Sequence, residues 1–320
     1  MNNKEIFVSV YCLCYNHEKY IRKCLDGFVM QKTNFIYEVI VHDDASTDNS
    51  ANIIKEYEKK YPDIIKPIYQ KVNQYSQGIK IFTTHILPKC KGKYIAICEG
   101  DDYWTDENKL QIQFDYMEIH VNCSICGHAF SKIHEDGTIM ENIFSLDSII
   151  NVSKVIMFDN MPQTATLMYR KKLISLRPSF FSETTVGDYP LMLYMSTKGE
   201  FHCINKNMSC YRLFVPGSWV NSTAKDPKKF IIPHLDAMKV FLEKFNDYTN
   251  KEYENMINLK ISQFQLQKNI LERSFNKIIS NEYFIKKYSF KWKISTILKC
   301  VFPRLHNAFK IAIERLKHGE

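Results

Sequence analysis

Lys93-Tyr94-Ile95-Ala96-Ile97-Cys98, followed at once by Glu99-Gly100-Asp101-Asp102-Tyr103-Trp104, decides the reading of this chain. The first half is a short apolar run rich in β-formers and reads as a buried strand. The second half sets three carboxylates within four residues, around a glycine that lets the backbone turn sharply. A helix is expected from about Asp106. Strand, loop and helix in that order put the acids at the carboxyl edge of a sheet, where open α/β sheets bind ligands. Like charges this close repel, so a hard cation such as Mg²⁺ or Mn²⁺ would neutralise them and bridge to phosphate oxygens. Three acids taken alone are equally well explained as a solvated turn that caps the next helix.

Upstream, Ile6-Phe7-Val8-Ser9-Val10-Tyr11-Cys12-Leu13 is a continuous apolar run suited to a buried parallel strand. The loop Cys14-Tyr15-Asn16-His17 follows, then a helix with Ile21, Cys24, Leu25, Phe28 and Val29 on one face. A second strand, Tyr37–Val41, ends in another acidic turn, His42-Asp43-Asp44-Ala45-Ser46-Thr47-Asp48. Ser46 or Thr47 would cap a helix through Ile53, Ile54 and Tyr57. A strand near Ile64–Tyr69 and a helix near Ile79–Leu87 complete an alternation that predicts an α/β fold, with a mostly parallel sheet and helices on both faces. Two acidic strand ends at one edge suit a nucleotide plus a metal. No GxGxxG follows the first strand and no GxxxxGK[ST] occurs, which argues against dinucleotide and P-loop sites.

The totals set bounds. With 320 residues, 45% hydrophobic and 24% charged, the chain is an ordinary globular one, large enough for one big domain or two small ones. No apolar run is long enough to span a bilayer and the start lacks a signal-like core, so a cytoplasmic protein is expected. Ten scattered cysteines read as buried free thiols. The Cys123/Cys126 pair lacks the second pair that a zinc site needs. Net charge is +8, and residues 281–320 hold nine Lys/Arg against Glu282, Glu314 and Glu320, leaving only +2 for the first 280.

Val8-Ser9-Val10 leading to Tyr15-Asn16-His17-Glu18-Lys19-Tyr20-Ile21, then Asp43–Asp48, then Gly92-Lys93-Tyr94-Ile95 into Glu99–Trp104, resembles the family 2 glycosyltransferases. The matching stretches run in order over residues 6–120. The resemblance implies a GT-A fold with a Rossmann-like sheet, an inverting transfer, a nucleotide-sugar donor (most often a UDP-sugar) and Mn²⁺ or Mg²⁺. It implies that Asp43 or Asp44 contacts the base, that Cys14, Tyr15 and Asn16 line its pocket with Asn73 nearby, and that Glu99, Gly100 and Asp101 stand at the family's DxD motif. Asp101 is the implied metal ligand. Glu99 is one methylene longer than the usual first acid.

In the second half, Cys123–Phe130 and Ile139–Phe144 read as a hairpin about Asp136-Gly137, and Met161–Tyr169 as a loop entering a strand. Asp188, in Val186-Gly187-Asp188-Tyr189-Pro190, reads by itself as a helix N-cap. The resemblance implies instead the carboxylate that activates the acceptor. Met208–Arg212 and Pro216-Gly217-Ser218-Trp219 resemble the closing strand and the loop after it. Many members carry a histidine just after the Tyr-Arg step, where this chain has Leu213-Phe214. Either Arg212 and the Gly217–Ser218 backbone take over its task, or fewer protein ligands hold the metal. Gln163, Thr164, Arg212 and Trp219 are expected on the acceptor or diphosphate side, with Trp219 serving either to stack on a sugar or to pack its loop.

The expected organisation is a GT-A domain over 1–225, with a nucleotide-sugar half (1–120) and an acceptor half (121–225). A helical region over 226–320 follows. Phe230, Leu235, Met238, Phe241, Leu242 and Phe245 form an apolar stripe suited to packing or to a homodimer. The last forty residues alternate basic and apolar, as an interfacial helix on an anionic membrane does, or as a solvated basic face does. No nucleic-acid motif accompanies that charge. The function expected is an inverting transferase that acts on a glycan or polyprenyl-diphosphate-linked acceptor in surface polysaccharide synthesis, at the inner face of the cell membrane. The rivals are a nucleotidyltransferase activating a sugar phosphate, and a non-catalytic GT-A partner.

Overall fold

The computed structural model describes residues 5–134, 136–142, 148–158 and 161–301. Phe144 of the expected hairpin and the tail beyond Val301 lie outside the described residues. The chain divides into two compact units, Met1–Ser182 with Val186–Pro216, and Glu183–Thr185 with Gly217–Glu320.

The first unit begins with β1 (Ile6–Cys14), α1 (Ile21–Val29), β2 (Ile36–Asp43), α2 (Ser50–Lys60), β3 (Ile65–Tyr69) and β4 (Tyr94–Ile97). These give a parallel block ordered β3-β2-β1-β4. Val8, Val10 and Cys12 on β1, Val39 and Val41 on β2 and Ala96 on β4 are all fully buried in one core with Cys24, Leu25 and Phe28 of α1. The helix expected near 79–87 is a π-helical turn, Phe82–Ile86. Gly92 lets β4 start hard against β1, since a Cβ there would sit 2.4 Å from the Ser9 nitrogen. Glu38, buried beside it, is satisfied by the Ser9 hydroxyl (2.7 Å) and the Lys91 N–H (2.8 Å).

After β4 come β5 (Tyr103–Trp104), α3 (Lys109–Ile119), β6 (Cys123–Ile133), β7 (Ile139–Asn142), β8 (Ser148–Ile149), α4 (Val152–Met157), β9 (Met168–Arg170), α5 (Lys171–Ile174), α6 (Asp188–Ser196) and β10 (Glu200–Arg212). Antiparallel β9 joins β4 to β6, and β10 runs parallel to β6 and antiparallel to β5, so the whole sheet is mixed. The β6–β7 hairpin turns at Gly137, whose φ of 83° is a left-handed conformation that suits glycine. All ten cysteines are buried thiols, none of them in a disulfide.

The second unit holds α7 (Trp219–Lys225), α8 (Pro227–Tyr248), α9 (Glu254–Leu271), α10 (Phe275–Ile279), α11 (Glu282–Lys287) and α12 (Phe290–Val301). Leu235, Met238, Phe241, Leu242 and Phe245 form the buried face of α8, as the stripe predicts. Leu266, Ile278, Phe284 and Cys300 make a smaller core that roots α9 to α12. No helix among the described residues is long and apolar enough to cross a membrane.

Candidate active site

Parallel pairing aligns Cys14 of β1 with Asp43 of β2, and the Asp44 N–H donates to the Cys14 carbonyl (2.9 Å), so both strand ends open at one edge. The loops beyond them are stitched together. Asn16 accepts from the Thr47 N–H (2.8 Å), and the Asn16, His17 and Glu18 N–H groups donate to Ser46 (2.9 Å), Ser50 (2.8 Å) and Asp48 (2.9 Å). Asn16 and Ala45 take left-handed φ values of 56° and 60°. For an alanine that is a strained conformation, of the kind that gathers at functional loops.

The two neighbouring aspartates have different partners. Asp44 accepts from the Gln74 N–H (2.7 Å) and the Tyr75 N–H (3.0 Å), and its carbonyl accepts from the Asn73 amide (3.2 Å). Asn73 also takes the Ser76 N–H (2.7 Å). Asp43 is just as buried, yet its Oδ1 has no partner, and Ser46 alone supports the carboxylate, through its hydroxyl and a long bond from its N–H to Oδ2 (3.4 Å). Burial raises its pKa. Cys14 is buried with its thiol pKa raised by burial, whereas Tyr15 is exposed.

At the end of β4, one carboxylate oxygen from each of Glu99, Asp101 and Asp102 lies within 4.8 Å of the others. Among the described residues no other group of His, Cys, Asp or Glu is arranged to hold a metal ion. The donors are all hard oxygens at mutual distances a divalent cation can span, so the residues fit Mn²⁺ or Mg²⁺. Burial, with Asp101 and Asp188 nearby, pushes the Glu99 carboxyl up to about 8. Asp102 is raised by burial and by Asp101, against the bond its Oδ1 accepts from the Arg212 N–H (2.9 Å). The Arg212 guanidinium donates to the Asp101 carbonyl and lies 4.5 Å from the Tyr103 ring centre and 5.2 Å from that of Tyr20. Gly100 permits this turn, because a Cβ there would meet His17 Nδ1 at 2.8 Å and the Leu13 carbonyl at 3.0 Å.

Asp188 is the first residue of α6, and Gly187 is the cap. The N-cap reading is therefore off by one position, and the carboxylate's bonding is local: its Oδ1 takes the next N–H, of Tyr189 (2.8 Å), and its own N–H also acts on it. It keeps some solvent exposure although protein atoms surround it, and burial raises its pKa. Its charge acts on Glu99, and Tyr211 of β10 feels Asp102, Glu99, Asp101 and Asp188 together. Gln163 and Thr164 have partly exposed side chains at the start of a 3₁₀ turn. Trp104 Nε1 holds that turn through the Ala165 carbonyl (2.9 Å), and Gln113 Nε2 holds it through the Thr166 carbonyl (2.8 Å).

The structure thus gathers Glu99, Gly100, Asp101, Asp188 and Arg212 in one unit, with Asp43 and Asp44 at the neighbouring strand end. Gly217, Ser218 and Trp219 belong to the second unit. There the Ser218 hydroxyl caps α7 and the Trp219 ring centre lies 4.9 Å from that of His234. Two residues of the cluster had no role assigned from sequence, whereas Asp102 was counted among the acids a cation would neutralise. His17 lay in the first loop. Tyr211 had no local signal, since only the pairing of β10 sets it among the acids. Burial lowers the His17 pKa while Asp101 opposes the shift, and its Nδ1 is buried without a partner.

The mixed sheet with acids at the end of β4, followed by a helical region, is the architecture of GT-A glycosyltransferases. Glycosyl transferase family 2 matches residues 9–177, more than half of the chain, and the chain belongs to that family. An uncharacterised protein of Mycobacterium tuberculosis strain H37Rv is 33% identical over 252 residues, 77% of this chain and 70% of that protein. Poly(ribitol-phosphate) beta-glucosyltransferase of Bacillus spizizenii is 35% identical over 105 residues, 32% of this chain and 16% of that enzyme. Among solved structures, S. aureus TarS in complex with UDP-GlcNAc superposes with a TM-score of 0.60 at 17% identity, over 92% of this chain and 80% of that one. The mannosyltransferase PcManGT from Pyrobaculum calidifontis, in complex with GDP-Man and Mn²⁺, gives 0.52 at 12% identity, over 94% and 88%. At such identities the likeness is one of fold. The chain is a glycosyltransferase.

Proposed function

We propose that the chain moves a sugar with inversion from a UDP-sugar to a hydroxyl of a glycan or polyprenyl-diphosphate-linked acceptor, in surface polysaccharide synthesis at the inner face of the cell membrane. The observation that carries this reading is the meeting of Asp188, a carboxylate with a burial-raised pKa, with the Glu99/Asp101/Asp102 cluster in one unit. Residues 1–120 hold the donor and 121–225 the acceptor. The free Oδ1 of Asp43 accepts from the nucleoside, while Asp44 holds the 73–75 loop against it. Asp188 accepts the proton of the acceptor hydroxyl as its oxygen bonds to the anomeric carbon and the bond from that carbon to the diphosphate breaks. Single displacement inverts the centre, and UDP leaves with the bonding electrons. Arg212, beside Asp101, adds positive charge on the diphosphate side. Asp101, with Glu99 and Asp102, would hold Mn²⁺ or Mg²⁺, whose chemistry there is neutralising diphosphate charge. Gln163 and Thr164 contact the acceptor.

The test is UDP release from a panel of UDP-sugars, with Mn²⁺ or Mg²⁺ and with EDTA. Release from one sugar, abolished by EDTA and by Asp101→Ala, is expected, and Asp188→Asn abolishes transfer once a true acceptor is supplied. Pyrophosphate release from a nucleoside triphosphate with a sugar 1-phosphate would favour nucleotidyl transfer instead. UDP binding without turnover of any nucleotide-sugar would favour a non-catalytic partner.

A further inference from the structure

We infer that the corner between α11 and α12 is an insertion point for an anionic lipid bilayer, formed by the exposed side chains of Ile285, Phe290, Trp292 and Ile294 in a lysine-rich stretch. These four side chains are 54%, 80%, 66% and 44% exposed, which is unusual for large apolar groups gathered within ten residues. They are not the packing face of their helices. Phe284 of α11 and Cys300 of α12 are buried in the small core with Leu266 and Ile278, and Ile297 packs against it. The corner is therefore anchored from below while its apolar tips point to water.

The stretch that carries it is basic. Residues 275–301 contain Lys277, Lys286, Lys287, Lys291, Lys293 and Lys299 against Glu282 alone, a balance of +5. Lys286 spends its charge on Glu282 (2.6 Å), and Lys293 donates to the Ile285 carbonyl (2.8 Å). Lys287 and Lys291 are exposed beside Ile285 and Phe290. Aromatic groups that bury at headgroup depth, flanked by lysines that reach anionic headgroups along their own methylene stems, fit a bilayer surface. Lys287, Lys291, Lys293 and Lys299 interrupt every apolar run from Ile285 to Val301, which suits the interface rather than the hydrocarbon core. Charge complementarity selects an anionic surface over a neutral one.

The test uses the full chain carrying Trp219→Phe. Trp104 is buried, so Trp292 is then the exposed indole. Vesicles of phosphatidylcholine alone are compared with equal parts phosphatidylcholine and phosphatidylglycerol, by co-sedimentation and by Trp292 emission with brominated lipid as quencher. Expected are sedimentation with the anionic vesicles, a blue shift and quenching. In the wild-type background, Phe290→Ser with Trp292→Ser lowers partitioning at least tenfold. Lys287→Gln and Lys291→Gln each lower it about fivefold on anionic vesicles only. These surface changes leave the fold intact, which circular dichroism checks. The inference is overturned by any of three results: no blue shift on anionic vesicles, Trp292 already blue-shifted and shielded from aqueous quencher without lipid (covered by residues 302–320 or by a second copy), or undiminished partitioning of the serine variant. None of these depends on turnover, so the transferase reading stands or falls separately.

Discussion

Asp43 and Asp44 are adjacent, equally buried and chemically identical, yet they have different partners, the proposed function gives them opposite tasks, and exchanging each separates the two. Asp44→Ala removes the acceptor for two backbone N–H groups, Gln74 at 2.7 Å and Tyr75 at 3.0 Å. A hydrogen bond to a charged group contributes about 1.5–3 kcal/mol, and water rehydrates part of this half-exposed loop, so the loss should be about 3 kcal/mol. In a chain of this size that lowers the melting temperature by about 4–5 °C. Asp43→Asn keeps the volume and removes a carboxylate whose ionisation burial disfavours. A raised carboxyl pKa means that Asp43 costs stability as pH rises through its folded value, so at pH 8 the Asn variant melts no lower than wild type. Its nucleotide affinity falls about 10–100-fold, because the unpartnered Oδ1 is lost as a charged acceptor for the nucleoside. Thermal melting and UDP calorimetry on the three proteins read both effects. Unchanged melting with lost UDP binding in Asp44→Ala, beside normal binding in Asp43→Asn, would refute the assignment.

Further outcomes follow from the same geometry. Lys109 is wholly buried, 4.0 Å from the Trp104 ring centre and 2.8 Å from Gln113 Oε1, and burial lowers its pKa to about 7. A depressed lysine contributes stability above its unfolded pKa of 10.5 and loses it as pH falls through 7, so Lys109→Met should stabilise at pH 6 by about 2 kcal/mol and destabilise by a similar amount at pH 10. Urea unfolding at both pH values checks this, and a pH-independent difference counts against it. Gly100→Ala should cut transfer at least tenfold with smaller loss of stability, because the Cβ must displace His17 or the Leu13 carbonyl. Steady-state assays beside melting curves decide that. Mn²⁺ at about a hundredfold its Kd should raise stability by about 2.7 kcal/mol, reversibly with EDTA, and should fail to do so in Asp101→Ala.

Much of this molecule is written locally in its sequence. The apolar runs at 6–13, 37–41 and 93–98 became β1, β2 and β4 because a buried parallel strand needs both faces apolar. The α8 stripe and the turn at Gly137 were legible for the same reason: periodicity and a left-handed glycine are properties of a few consecutive residues. The acidic end of β4 and its family resemblance were equally local. What the sequence left open was everything set by partners distant along the chain. It could not tell the partners of Asp43 from those of Asp44, because the Gln74 and Tyr75 amides that Asp44 accepts from arrive from another loop. Taken alone it offered Asp188 as a cap, and only the resemblance pointed to a base, because one residue of helix register and the nearness of Glu99 are fixed only when α6 packs into its unit. It left Trp219 between stacking on a sugar and packing its loop, and the second unit to which the residue belongs, with His234 beside its ring, is assembled only by tertiary contacts. Local pattern specifies which elements form. The pairing of β9 and β10 with the parallel block specifies which charges meet, because electrostatic coupling and burial depend on distances that only tertiary packing sets.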